Sequence, residues 1–84
     1  MNATPRIWTT ITRVSQRVAF IESNDTAGNW LGSARVEVCG PYHLHPGAPD
    51  KEEQDRAALY AQGYALAEHN ASAHGGDLDR YGWA

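Results

Sequence analysis

The chain predicts a small α+β domain: an antiparallel sheet of about three strands (roughly 6–14, 17–23 and 30–39) packed against one helix (roughly 51–71). Three observations carry this. Residues 6–23 are crowded with β-branched and aromatic side chains, which fit a pleated, half-buried surface. Residues 30–39 alternate with a period of two. A capped, alanine-rich stretch then runs from Asp50 to the Gly75-Gly76 break. With 84 residues there is room for one core, so residues 1–84 form a single domain.

The segment from Arg6 to Ser23 reads as two strands. Ile7, Ile11, Val14, Val18 and Ile21 also recur at helical spacings of four and three, with Thr4-Pro5 as an N-terminal signal, so one amphipathic helix is the competing reading. Thr9, Thr10 and Thr12 decide for strands, because β-branched side chains lose rotamer freedom in a helix. Asn24 to Asn29 is a polar loop. In the third strand Trp30, Gly32, Ala34, Val36 and Val38 share one face, and Leu31, Ser33, Arg35, Glu37 and Cys39 the other. Gly40-Pro41 ends it, since proline cannot donate to a ladder.

The helix starts at Lys51. Asp50 is the N-cap, Glu53 holds the capping-box position, and Glu52 and Asp55 complement the positive end of the dipole. Its buried arc is expected to hold Ala57, Leu59, Tyr60, Ala61, Gly63, Tyr64, Leu66 and Ala67, leaving Asp55 on the solvent side. Small residues at Gly63 and Ala67 allow close approach to the sheet. Residues 74–84 read as a C-terminal tail after a glycine hinge.

Composition narrows the function classes. No apolar run is long enough to span a membrane and no secretory signal opens the chain, so it reads as a complete cytoplasmic product. The one cysteine, Cys39, permits neither an internal disulfide nor a thiolate zinc cluster and reads as a half-buried, inert thiol. His43, His45, His69 and His74 read as solvated loop residues, so no metal is expected. No triad, phosphate loop or cofactor fingerprint is present, and the expectation is a non-enzymatic protein without a cofactor.

The net charge of −3 is unevenly distributed. Residues 1–40 carry four arginines and three acids, whereas residues 41–84 carry three bases and seven acids. This disfavours direct binding to nucleic acid and suits docking onto a basic protein surface. The candidate contact residues are Glu52, Glu53, Asp55, Glu68, Asp77 and Asp79 together with Tyr81 and Trp83. The alternative is a nucleic-acid face built from Arg6, Trp8, Arg13, Arg17 and Arg35, with the indole stacking bases.

In format, an acidic, cysteine-poor chain of a few strands and one alanine-rich helix over residues 6–73, the protein resembles the small phage-encoded anti-CRISPR proteins. The resemblance carries no diagnostic motif. It implies a stoichiometric inhibitor that binds a protein complex of the bacterial host, a CRISPR effector and more specifically a multisubunit type I effector.

Overall fold

The computed structural model describes residues 4–39 and 50–84. Its elements are β1 (Arg6–Ser15), β2 (Val18–Asp25), β3 (Trp30–Glu37), α1 (Lys51–Ala73) and β4 (Asp77–Trp83). The sheet order is β3-β2-β1-β4; β1 pairs with β2 and β2 with β3 antiparallel, and β4 runs parallel to β1. The domain is α+β with one helix on one face of the sheet.

The segment 6–23 is strand on both sides of a two-residue turn at Gln16 and Arg17. Ile7, Thr9 and Ile11 are buried while Arg6, Trp8, Thr10 and Thr12 are exposed, so β1 alternates as a half-buried strand must. Ile11 sits opposite Ile21 on β2, which is how isoleucines at helical spacings meet without a helix. Within this core Thr9 and Ser23, also cross-strand partners, satisfy each other through a 2.8 Å hydroxyl pair.

Two expectations are corrected in the sheet. The residues read as a tail form β4, which makes the sheet four-stranded and mixed. Gly75, at φ +70°, turns the chain out of the helix, and Asp77 N donates to Pro5 O at 2.9 Å, fixing the return beside β1. A strand reached through a helix arrives parallel to its neighbour, and this one repeats the apolar alternation at Leu78, Tyr81 and Trp83 with one residue extra. Second, Trp30 does not share the face of Val36. The β2/β3 register shifts between Ser23–Gly32 and Asn24–Trp30, and Gly32 takes φ +144°, a conformation L side chains rarely adopt. The bulge turns Trp30 to the other side of the sheet.

Helix α1 begins as the sequence requires: Asp50 Oδ1 accepts from Glu53 N at 2.9 Å, with Glu52 and Glu53 in the first turn. Its buried stripe is narrower than the expected arc. Asp55, Leu59, Gly63, Ala67 and Ala71 are buried, one residue per four, while Ala57, Tyr60, Ala61, Tyr64 and Leu66 are exposed. From Gly63 on the ridge is built of small residues, so the helix lies close on the sheet there and only one row of side chains is enclosed. Leu59 and Ala67 join Ile11, Ala19, Ile21, Val36 and Val38 in the core, with Ala34, Ala58, Leu78, Tyr81 and Trp83 packed around it.

Candidate interaction surface

The helix covers one face of the sheet and leaves the other open. Among the described residues this face carries Trp8, Phe20 and Trp30, which are 37%, 41% and 65% exposed. The registers align Trp30, Asn24, Trp8 and Arg80 as one row across all four strands, with Phe20 and Arg35 paired farther along. Neighbouring strands lie about 4.8 Å apart, so the two indoles of the row stand roughly 10 Å apart over Asn24.

The two indoles differ in what holds them. Trp8 Nε1–H donates to Asp79 Oδ2 at 2.9 Å, and the Arg80 guanidinium lies 4.8 Å from the Trp8 ring centroid. Both contacts come from the register shift between β1 and β4, which brings Asp79 and Arg80 to Trp8 together. A shallow cavity of about 560 Å³ beside them is floored by Thr10 and Gly82. Trp30 has far more of its surface in solvent and is thus the ring most available to a partner.

The charge on this face is mixed. Arg6, Arg35 and Arg80 share it with Glu22, Glu37, Asp77 and Asp79, and the Arg35 Nη2 lies 3.3 Å from Glu37 Oε2. A nucleic-acid platform needs an excess of cations, which three arginines against four carboxylates do not supply.

The residues of the expected nucleic-acid face are therefore divided. Arg6, Trp8 and Arg35 lie on the open face, but Arg13 and Arg17 turn to the helix. Arg13 donates to the carbonyls of Ser15 and Gln16 at 3.2 and 2.9 Å and pairs with Glu52 at 3.7 Å. Arg17 Nε lies 3.6 Å from Asp55 Oδ2, which also accepts from Gln16 Nε2 at 2.7 Å.

The expected acidic contact residues are divided as well. Glu52, Glu53 and Glu68 are exposed on α1, and Asp77 and Asp79 are exposed on β4. Asp55 is wholly buried and is withdrawn from any contact surface; its carboxylate fastens the helix start to the β1–β2 turn. Tyr81 and Trp83 face the helix rather than the open side. The eight residues do not form one surface.

At that helix edge Tyr60 and Tyr81 lie 4.7 Å apart and exchange bonds: Tyr81 OH donates to the Tyr60 carbonyl at 2.6 Å, and Tyr60 OH to the Tyr81 carbonyl at 3.4 Å. Tyr64 meets Tyr81 edge-on at 5.4 Å, and Arg56 lies over Trp83 at 5.2 Å. Burial, then the neighbouring Tyr60, pushes the Tyr81 hydroxyl up to about 12. Tyr64 is raised by its hydrogen bond to Glu68. Both phenols therefore stay neutral donors at physiological pH.

Elsewhere, Asp25 accepts from Ala27 N, Asn29 N and Asn29 Nδ2 at 2.8–3.0 Å, closing the β2–β3 loop, and its pKa is lowered chiefly by Asn29. No three His, Cys, Asp or Glu side chains cluster as metal ligands among the described residues. His69 and His74 are exposed, and His43 and His45 lie outside the described residues. Cys39 is exposed, not half-buried, because the strand ends at Glu37, before reaching it. No helix among the described residues is long and apolar enough to cross a membrane.

The expected contact residues left out Phe20, Trp30 and Arg80, although the surplus of tryptophans over what a one-helix core needs already pointed to exposed ones such as Trp30. Gly32 was the available signal for Trp30, since an isolated glycine within a strand marks a bulge. No protein-family model, curated protein or solved structure matches the chain.

Proposed function

We propose that this protein is a non-enzymatic protein-binding domain whose partner docks on the open sheet face, with Trp30 as the principal anchor. The observation that carries the reading is the 65% exposure of Trp30 on a face that also holds Phe20 and Trp8. Tryptophan, tyrosine and arginine dominate binding hot spots because they bury much area with few rotamers to freeze. The near balance of charge on the face favours a protein surface over a phosphate backbone.

Following the resemblance in format, the partner class is a multisubunit CRISPR effector in the cytoplasm of a bacterial host, inhibited stoichiometrically. The exposed Asp77 and Asp79 lie on the open face itself and suit basic groups on the partner, whereas Glu52, Glu53 and Glu68 on the helix side add only to the net charge of −3. Binding of the purified chain to a purified type I effector, followed by interferometry, tests both parts. Trp30→Ala should weaken binding by about 10- to 100-fold, while Glu68→Ala on the helix should leave it within about twofold. An effector that does not bind removes that partner class. Binding that survives both Trp30→Ala and Phe20→Ala removes the open face. Duplex DNA or RNA binding at about 150 mM salt that is lost on Arg6→Ala and Arg35→Ala would install the nucleic-acid reading instead.

A further inference from the structure

β4 is an edge strand and, among the described strands, pairs with β1 alone. Asp77 N donates to Pro5 O and Ala84 N to Ile11 O, both at 2.9 Å. In the two-residue alternation of a parallel ladder, Gly82 and Arg80 then also turn their peptide groups to β1. Leu78, Tyr81 and Trp83 turn theirs to the free side. The Tyr60 hydroxyl marks that direction, reaching the Tyr81 carbonyl from the helix at 3.4 Å. A bond this long is a weak occupant of the acceptor.

The bulge gives this edge an unusual order of faces. Asp79 and Arg80 both project onto the open face, where each contacts Trp8. From Asp77 to Gly82 the side chains therefore run open, helix, open, open, helix, open. That order reads the same in both directions about the Asp79–Arg80 peptide.

The geometry points to a second copy of this chain as the occupant of the edge: two β4 strands pair antiparallel about a two-fold axis at the Asp79–Arg80 peptide and join the two sheets into one of eight strands. In this register Leu78 lies opposite the partner's Tyr81, both on the helix side and both with peptide groups free to exchange bonds. Asp79 lies opposite the partner's Arg80 on the open side, and by symmetry Arg80 opposite the partner's Asp79. Asp77 meets the partner's Gly82, which offers no side chain to clash.

The registers on either side fail on two counts. A slip of one residue places Arg80 against the partner's Arg80, or Asp79 against the partner's Asp79, and like charges directly opposite are unfavourable. The same slip sets apolar helix-side residues across from open-side ones, the usual penalty for misregister. Charges on an edge strand ordinarily repel any incoming strand. Here they repel all but a copy of themselves, an isologous interface.

This inference does not rest on the protein-binding reading, which concerns the open face and Trp30. Sedimentation velocity of the 84-residue chain over roughly 1–500 μM tests it, a range suited to a weak contact made by one short strand, below the roughly 1,200 Å² at which standard interfaces begin. The expected result is a concentration-dependent dimer of twice the 9.2 kDa chain mass. Arg80→Asp and Asp79→Arg should each weaken it about tenfold or more, because each juxtaposes like charges. An equimolar mixture of the two should restore the dimer, since every cross-pair is then opposite in sign. The double variant carrying both changes should dimerise by itself, which covers the case of a single variant that fails circular dichroism for folding. A wild-type chain that stays monomeric, single variants that dimerise like wild type, or a folded mixture that stays monomeric would each overturn the proposal.

Discussion

Gly63→Ala is the sharpest test of how the helix sits on the sheet. A Cβ at position 63 would land on the Tyr81 hydroxyl, 2.8 Å from Ile11 Cδ1 and 3.3 Å from Ile21 Cγ2. Alanine gains about 1 kcal/mol of helix propensity over glycine. Against this, forcing a methyl into a filled core costs about 1–3 kcal/mol. The Tyr81 hydroxyl must also leave the Tyr60 carbonyl it reaches at 2.6 Å, a loss of about 1 kcal/mol. The net is a destabilisation of about 1–3 kcal/mol, which at a urea slope near 1 kcal/mol/M lowers the unfolding midpoint by roughly 1–3 M. The tyrosine terminus is the neighbour most able to move, so Tyr81→Phe in the same background should recover part of the loss. Urea unfolding followed by tryptophan fluorescence gives both numbers. A midpoint equal to or above wild type would mean that propensity outweighs packing, and that the helix stands farther from Ile11 than described.

Two further outcomes follow from polar groups packed against the start and the middle of the helix. Arg17→Ala should cost about 2–4 kcal/mol in urea unfolding, because it removes the cation 3.6 Å from the wholly buried Asp55. Arg17→Met with Asp55→Leu should cost less than Arg17→Ala alone, and equal losses would show that the carboxylate is not held by that cation. At the middle of the helix, the Tyr81 pKa of about 12 against an ordinary 10.0 favours the neutral phenol in the folded state. Its contribution is complete below pH 10 and is lost as pH rises toward 12. Ultraviolet titration should therefore show late-ionising tyrosine absorbance whose latest part Tyr81→Phe removes; a late part left unchanged by Tyr81→Phe would refute the burial of that hydroxyl against Tyr60.

What the sequence made legible was whatever local chemistry dictates. The Asp50 cap needs only a carboxylate three residues before an amide, and the strands at 6–23 need only β-branched residues in alternation. The close approach at Gly63 was legible for the same reason, since a glycine in the middle of an apolar arc has no local use. What escaped depended on partners distant in sequence. Asp55 has the spacing of a solvent-facing acid near a helix start, and the arrival of Gln16 and Arg17 from the β1–β2 turn helps make its burial tolerable. The last residues read as a tail because Asp77, Asp79 and Gly82 are poor strand formers. Their place beside β1 is fixed by Asp77 N on Pro5 O and by Leu78, Tyr81 and Trp83 packing under the helix.

The same separation of local from distant causes orders the tryptophans as candidate anchors. Trp83 lies against Tyr60 at 5.7 Å and under Arg56, and Trp8 lies under Arg80 with its indole N–H bonded to Asp79. Each must give up an existing arginine contact before another group can stack on that ring face, so a partner gains there only the difference between two similar interactions. Trp30 owes its outward position to a bulge at Gly32, a feature that interrupts the ladder and leaves most of a large ring in water. A strand needs no tryptophan at such a place for stability, since the core is complete on the other face. Exposure at a cost to the sheet is what a binding anchor requires, and it is the reason Trp30, rather than the better-packed Trp8, carries the functional reading.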